Sequence, residues 1–247
     1  MNEPYKKIII LSEVGSTNNY ANRLIMSKAA EEGTVVMTHF QGNGRGQASN
    51  RWESEKGKNL LMSIILFPGF LPAANQFLLS KVAGLSILEF LQREVKDVTI
   101  KWPNDIYVGN KKIAGILIEN SIKGNFLSSS VIGIGLNLNQ GEFLSDAPNP
   151  VSLKQLSGKE YQVEDVMHEI LKLFFIWYKR LQQGNMEKID LTYFSQLYRK
   201  EEWEIYSREG YQFEAKIVGI GEFGQLILQK RDETTRAYMF KEIEFVL

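Results

Sequence analysis

The residues able to do chemistry cluster in two segments. Gly42-Asn43-Gly44-Arg45-Gly46-Gln47-Ala48-Ser49-Asn50-Arg51-Trp52 is a glycine-rich turn with an arginine inside it. Such a turn leaves the backbone free to wrap an anion, and the planar guanidinium adds a permanently charged fork. The second segment, Lys101-Trp102-Pro103-Asn104-Asp105 and then Lys111-Lys112-Ile113-Ala114-Gly115, places lysines, an asparagine and an aspartate on strand, turn and strand. Side by side, the two segments suit a carboxylate and a nucleotide phosphate.

Regular elements must hold these segments in place. Ile8 to Leu11 reads as a strand, and Ser16-Thr17-Asn18 offers an N-cap for a helix that continues through Tyr20, Leu24, Ile25 and Lys28 to a stop at Gly33. Thr34 to Phe40 reads as the strand entering the glycine-rich turn, and Asn59 to Phe67 as the strand leaving it. Leu78, Val82, Leu85, Leu88, Leu91 and Val95 mark one face of a long helix. Strands follow at Val98 to Trp102, Ile106 to Val108, Lys111 to Glu119 and Phe126 to Leu138, with Gly109-Asn110 as a two-residue hairpin turn. Pro103 cannot donate to a ladder and therefore ends a strand or sits at an edge. Val166, Ile170, Leu173, Phe174, Trp177 and Leu181 stripe a second long helix, ending near Gly184. Beyond Arg199 only short strands are predicted: Trp203 to Tyr206, Phe213 to Val218, Gln225 to Gln229 and Tyr238 to Val246. They suggest a small, strongly bent sheet or barrel as a separate lobe.

Alternation along its strand groups Lys112 with Ala114, Ile116 and Ile118, so the pattern points this lysine toward an apolar, buried side. Burying an ammonium is costly unless a carboxylate or phosphate partners it. Lys111, on the other face, reads as a solvated charge. Arg45 has no evident protein partner, so its loop is expected to be mobile without ligand and ordered with it.

Composition removes several function classes. Twenty-nine basic residues balance 29 acidic ones, so no global field draws the chain to DNA or RNA. Zero cysteines exclude disulfides, zinc-thiolate sites and a cysteine nucleophile. No apolar run approaches a membrane span or a signal sequence, which points to a cytoplasmic protein. Gly219-Ile220-Gly221-Glu222-Phe223-Gly224 matches the dinucleotide fingerprint, but a strand follows it where that fingerprint must open a helix. With only His39 and His168 and no serine elbow, a hydrolytic triad is unsupported, and His168 reads as structural.

Four ordered blocks resemble the biotin protein ligases: Ser16-Thr17-Asn18, the Gly42 to Trp52 turn, Lys101 to Asp105 with Lys112-x-x-Gly115, and Gly133-Ile134-Gly135-Leu136-Asn137-Leu138-Asn139. The resemblance implies an α/β (α+β) fold. A mixed-sheet catalytic domain of the biotin/lipoate ligase type, like class II aminoacyl-tRNA synthetases, would span 1–198. A small C-terminal SH3-like β-barrel would span 199–247. It implies ATP-dependent conversion of biotin to biotinyl-adenylate, with magnesium, then transfer to a lysine of a biotin carboxyl carrier domain.

By the same resemblance, Lys112, Arg45 and Asp105 are catalytic, with Asp105 orienting or deprotonating the attacking amine. Ser16, Thr17, Asn18, Gln41, Arg45, Gly46, Gln47, Lys112, Gly115 and Gly133 bind biotin. Arg45, Trp52, Lys101, Asn104, Lys112 and Asn137 bind ATP or the adenylate, Asn137 reading adenine. Trp52 reads equally as a core aromatic or as a wall of the site. The resemblance does not identify magnesium ligands. Three positions depart from the family pattern: Gln47 stands for a second arginine, Ser49 for a glycine and Asn50 for a basic residue. Lys241-Glu242-Ile243-Glu244 keeps part of the family's C-terminal signature and leaves a contact of that lobe with ATP open.

Two rivals share the core. Octanoyl transferases use a cysteine, absent here, and lipoate ligases carry another glycine-rich signature. A biotin-sensing repressor needs a DNA-binding domain, and only fifteen residues precede Ser16. The expected partners are thus biotin, ATP and a carrier domain, without DNA or membrane; homodimer formation is left open.

Overall fold

The structure is a computed structural model that describes residues 5, 7–47, 50–145 and 149–246. Seven strands form one mixed sheet: β1 (Lys7–Leu11), β2 (Thr34–Thr38), β3 (Leu60–Leu66), β4 (Val98–Lys101), β5 (Asp105–Val108), β6 (Lys111–Lys123) and β7 (Phe126–Leu136), in the order β1-β2-β3-β7-β6-β5-β4. Only β1 and β2 run parallel; every other pair is antiparallel. A helix crosses between that parallel pair, as parallel neighbours require.

The two faces of the sheet are covered differently. Helices α2 (Phe77–Leu91) and α4 (Val163–Gln182) pack on one face, over Ala114, Ile116, Ile132, Ile134 and Leu136. The other face carries α1 (Thr17–Met26), whose Ala21, Leu24 and Ile25 meet Val36, Ile65 and Val131. Helix α1 covers only part of its face, and the remainder is the floor of the site. The Ser16 side chain caps α1 by accepting from the Asn19 backbone, as its sequence suggests. The helix ends at Met26, however, seven residues before the expected stop. Lys28 turns the chain with φ 57°, while Gly33, φ 77°, serves the later turn into β2.

The helices α3 (Leu153–Ser157) and α5 (Met186–Ser195) carry no long apolar stripe and were not expected. His168 is structural, as read: its Nδ1 lies 2.6 Å from the Tyr5 hydroxyl. No helix among the described residues is long and apolar enough to cross a membrane.

The C-terminal strands form an antiparallel sheet of five: β8 (Glu204–Arg208), β9 (Tyr211–Ile220), β10 (Leu226–Lys230), β11 (Thr235–Tyr238) and β12 (Glu244–Phe245), in the order β11-β10-β9-β8-β12. Tyr238 to Val246, expected as one strand, is two short ones separated by a turn. Lys241 adopts φ 72° there, and Met239 donates its backbone N–H to the Glu242 carboxylate. The Gly219–Gly224 motif ends β9 and, from Gly221, turns the chain into β10, a turn before a strand as expected. Gly224, at φ +86°, faces the Phe77 ring so closely that no Cβ would fit. Its carbonyl accepts the Trp102 indole N–H at 2.8 Å, which joins this sheet to the larger one.

Candidate functional site

Three glycines make the floor. Gly115 on β6 pairs with Gly135 on β7, and Gly133 pairs with Leu117. Side chains alternate across a strand, so all three lie on the face away from α2 and α4. The Trp52 indole lies over the first two: a Cβ on Gly115 would sit 2.8 Å from Cζ3 of that ring, and one on Gly135 would sit 2.5 Å from Cε2. A Cβ on Gly133 would collide with the Asn18 amide. The Trp52 ring thus lines the cavity rather than the core. Its Nε1 is enclosed without a hydrogen-bond partner among the described residues.

A cavity of about 510 Å3 opens above this floor. One end is uncharged and densely hydrogen-bonded. Ser63 Oγ lies 2.7 Å from both Thr17 Oγ1 and Asn18 Oδ1. Gln41 Oε1 accepts from the Thr17 backbone at 2.8 Å and from its hydroxyl at 3.1 Å. Asn18 spends its amide hydrogens on Leu117 O and Glu119 Oε2. Ser16, Thr17 and Asn18 are almost fully buried, so each bond is shielded from water and fixes its partner firmly.

The other end carries charge. Lys112 arrives there through a β-bulge rather than by alternation. In the β5–β6 ladder Ile106 pairs with Ala114 but Tyr107 pairs with Lys112, leaving Ile113 as the extra residue. Ile113 and Ala114 both enter the core, and Lys112 turns onto the glycine face. The expectation that Lys112 shares the buried face of Ala114 and Ile116 is thus wrong, because a bulge re-aims the side chain that precedes it. Lys112 Nζ lies 2.7 Å from Asp105 Oδ1 and 5.7 Å from the centre of the Trp52 ring. The contact with Asp105 is ionic and poorly aligned, since that oxygen has no hydrogen-bond partner. Backbone bonds from Lys112 N to Asn149 O and from Val151 N to Lys112 O clamp the lysine on its other edge.

Lys101 stands beside this pair. Its Nζ reaches the Tyr107 hydroxyl at 3.2 Å and lies over the rings of Tyr107 and Phe245, at 4.9 and 5.1 Å. Burial pushes its pKa down; Asp105 opposes that shift, while Lys112 and Arg199 add to it. Asn104 is a fixed strut: its side-chain amide donates to Ile116 O at 2.8 Å and its backbone carbonyl accepts from Ile116 N. Pro103 follows a cis peptide bond in the turn between β4 and β5. Phe240, Ile243, Glu244 and Phe245 of the C-terminal sheet also line the cavity. Sequence patterning left the contact of this lobe open; the geometry places it at the charged end.

The glycine-rich turn forms the roof, folded back as a narrow hairpin. Arg45 pairs with Arg51, Gly46 N donates to Asn50 O, and Trp52 N donates to Gly44 O. Ala48 and Ser49 lie outside the described residues. Contrary to expectation, Arg45 has firm partners: Nη2 meets Glu119 Oε1 at 2.8 Å and Nη1 donates to Asn19 Oδ1 at 2.7 Å. Gln47 lines the cavity, with its Oε1 enclosed and without a partner.

The cavity therefore gathers Ser16, Thr17, Asn18, Gln41, Arg45, Gly46, Gln47, Trp52, Lys101, Asn104, Asp105, Lys112, Gly115 and Gly133. Asn137 is not among the residues that line it. It is buried just beyond β7, with its amide nitrogen donating to Val151 O at 3.2 Å and its backbone bonded to Ile113 and Leu153. Ser63 and Glu119 were missed. Ser63 reads as a small residue inside an apolar strand, and Glu119 meets Arg45 across 74 positions of sequence, beyond any local pattern.

Comparison with known proteins agrees with this geometry. Residues 11–137 match the model of the biotin/lipoate A/B protein ligase family. The bifunctional ligase/repressor BirA of Bacillus spizizenii is 31% identical over 94% of this chain and 72% of its own length. The biotin–[acetyl-CoA-carboxylase] ligase of Paracoccus denitrificans is 30% identical over 89% and 93%. Among solved structures, the Aquifex aeolicus biotin protein ligase in complex with biotin and ATP superposes with a TM-score of 0.81. It is 27% identical and covers 98% of this chain and 99% of its own. An uncharged pocket beside a cationic one, on a sheet with this topology, thus coincides with sequence kinship across most of the chain, and the protein belongs to the biotin/lipoate A/B protein ligase family.

Proposed function

We propose that this protein activates biotin with ATP and transfers it to a lysine of a biotin carboxyl carrier domain in the cytoplasm. The observation that carries this reading is the division of one cavity. Its uncharged end, built on Thr17, Asn18, Gln41 and Ser63, suits a neutral hydrogen-bonding ring. Its charged end, built on Lys112, Lys101 and Asp105, suits a carboxylate beside phosphates. Trp52 over the glycine floor offers a flat apolar face where these ends meet.

In the first step a biotin carboxylate oxygen bonds to the α-phosphorus of ATP and the bond to pyrophosphate breaks. Lys112 and Arg45 neutralise charge gathering at phosphorus, and fixed donors there cost no reorganisation. In the second step the carrier amine bonds to the acyl carbon and AMP leaves. That amine has an ordinary pKa of about 10.4, so it must lose a proton, and Asp105 is the carboxylate at hand. The turn from Gly42 to Trp52 excludes water from the acyl-phosphate between steps.

No cluster of three metal-ligating side chains exists among the described residues. Magnesium fits as an ion carried mainly by the phosphates, with Asp105, the carboxylate that pairs with Lys112 in the same cavity, as the protein group that would help hold it. Bound there, it would offset phosphate charge. We also place the boundary of the catalytic lobe at residue 198, since Lys200 already pairs with Ile217 of the small sheet.

The test is incubation with ATP, magnesium and biotin, reading pyrophosphate, biotinyl-adenylate and a biotinylated carrier lysine. Turnover with lipoate or octanoate in place of biotin would reassign the uncharged end within the same family.

A further inference from the structure

We infer that Glu119 is a positioning residue that sets the Arg45 roof over the cavity before any ligand binds. Glu119 sits on β6, two residues beyond the cavity-lining Leu117. Its carboxylate works in two directions. Oε2 accepts from the Asn18 amide at 2.9 Å and the Asn22 amide at 3.3 Å, both on α1. Oε1 meets the Arg45 guanidinium at 2.8 Å. One carboxylate therefore ties the hydrogen-bonded end of the site to the roof.

The chemistry requires a carboxylate. All three groups that meet it are donors, and an ionised carboxylate is acceptor-only on both oxygens. A glutamine of the same size must turn its NH2 toward either Asn18 or Arg45, setting donor against donor. Arg45 also keeps capacity to spare. It has five N–H donors, and its contacts with Glu119 and Asn19 use one on each terminal nitrogen. The remaining donors are free to meet an anion without breaking the Glu119 contact. Glu119 thus acts as a permanent orienter of Arg45 rather than a competitor of the ligand. The hairpin bonds from Gly46 N to Asn50 O and from Trp52 N to Gly44 O depend on the same anchor, because Arg45 lies between Gly44 and Gly46.

The first test needs no substrate and stands apart from the proposed activity. Amide exchange is measured in the ligand-free protein and in Glu119→Gln, Arg45→Ala and the double variant. Glu119→Gln is expected to speed exchange at Gly46 and Trp52 about five- to tenfold, the range of a charged contact at a partly exposed site. Arg45→Ala is expected to do the same, and the double variant to exceed neither, because both changes remove one coupling. Unchanged exchange in Glu119→Gln, or effects that multiply in the double variant, would overturn the inference.

The second test rests on the proposed function. Glu119→Gln should lower kcat for adenylate formation and speed adenylate escape in the same direction as Arg45→Ala but by less, and Glu119→Asp should recover part of the loss, because Glu119 acts only through Arg45. A kcat loss from Glu119→Gln that persists in full in the Arg45→Ala background would assign Glu119 its own part in the chemistry and sink the positioning role. Loosened exchange in a protein with no biotin turnover would instead retire the activity and keep the role of Glu119.

Discussion

The floor and the roof of the cavity hold their charges by different physics. The floor residues Lys112, Asp105 and Asn104 stand on strands or in the turn between them. Ladder bonds on both sides fix the Lys112 backbone, and the bulge at Ile113 fixes its aim. The roof is a hairpin whose Arg45 is held by side chains, Glu119 and Asn19. A group that must meet a transition state within a fraction of an ångström belongs on the first kind of support. A group that must admit ligands and then cover them belongs on the second. Position in the fold thus gives the two charges different freedom to move: Lys112 is held by its backbone, Arg45 by side chains.

Breaking the floor should produce the largest effect. Lys112→Ala removes the charge nearest the reacting phosphate, and a loss of ~3–4 kcal/mol lowers adenylate formation roughly a hundred- to thousandfold. The variant should remain folded, because Lys112 is partly exposed. Near-normal pyrophosphate release would disqualify the floor as the catalytic wall.

A glycine substitution compares the two supports directly. Gly135→Ala drives a Cβ to 2.5 Å from the Trp52 ring, whereas a Cβ on roof residue Gly42 meets nothing within 4 Å. Overpacking of this kind costs about 1–3 kcal/mol, so Gly135→Ala should weaken nucleotide binding by about tenfold or more. Gly42→Ala should change it less than about twofold, on the usual scale of surface substitutions. Calorimetric titration of both variants decides it, and equal affinities would mean that the indole shifts freely.

Lys101 offers a pH test. Its pKa is depressed below 10.5, chiefly by burial. Its charged form is therefore disfavoured on folding; that cost is present below the folded pKa and vanishes as pH rises past it toward 10.5. A bound phosphate reverses the preference, so ATP affinity should fall with rising pH starting below the ordinary lysine range. Lys101→Arg stays charged and should flatten that fall; an identical slope in both proteins would remove Lys101 as the titrating group.

The smallest effect belongs to the roof. Gln47→Arg replaces a neutral amide with a fork able to grip phosphate twice, a gain of ~1 kcal/mol. Release of biotinyl-adenylate should slow about fivefold by stopped flow. An unchanged rate would mean that neighbouring Arg51 already holds the phosphate.

Much of this was legible in sequence, and the failures share a cause. The Ser16 cap and the paired strands around Gly109 follow from local spacing, because caps and turns are local physics, whereas most of the residues lining the cavity were named by resemblance to the biotin protein ligases. Two errors arose where distant parts of the chain intervene. Alternation put Lys112 on the wrong face, since a bulge is set by the partner strand. Arg45 looked unpartnered, since Glu119 lies 74 residues away. Helix α1 failed differently: Gly33 was read as its stop, although Lys28 adopts φ 57° and ends the helix earlier.

The extra residue at Ile113 has a further consequence, for how this sequence can drift. Substitutions in β6 change one side chain, but Lys112 and Gly115, three residues apart, share a face only because Ile113 is bulged; a ladder that took Ile113 into register would alternate simply and send Lys112 into the hydrocarbon interior behind the sheet. The strand therefore tolerates altered letters better than an altered register. Over generations, the spacing from Lys112 to Gly115 should be inherited as a counted unit, even where the two residues between them exchange freely among small and branched apolar types.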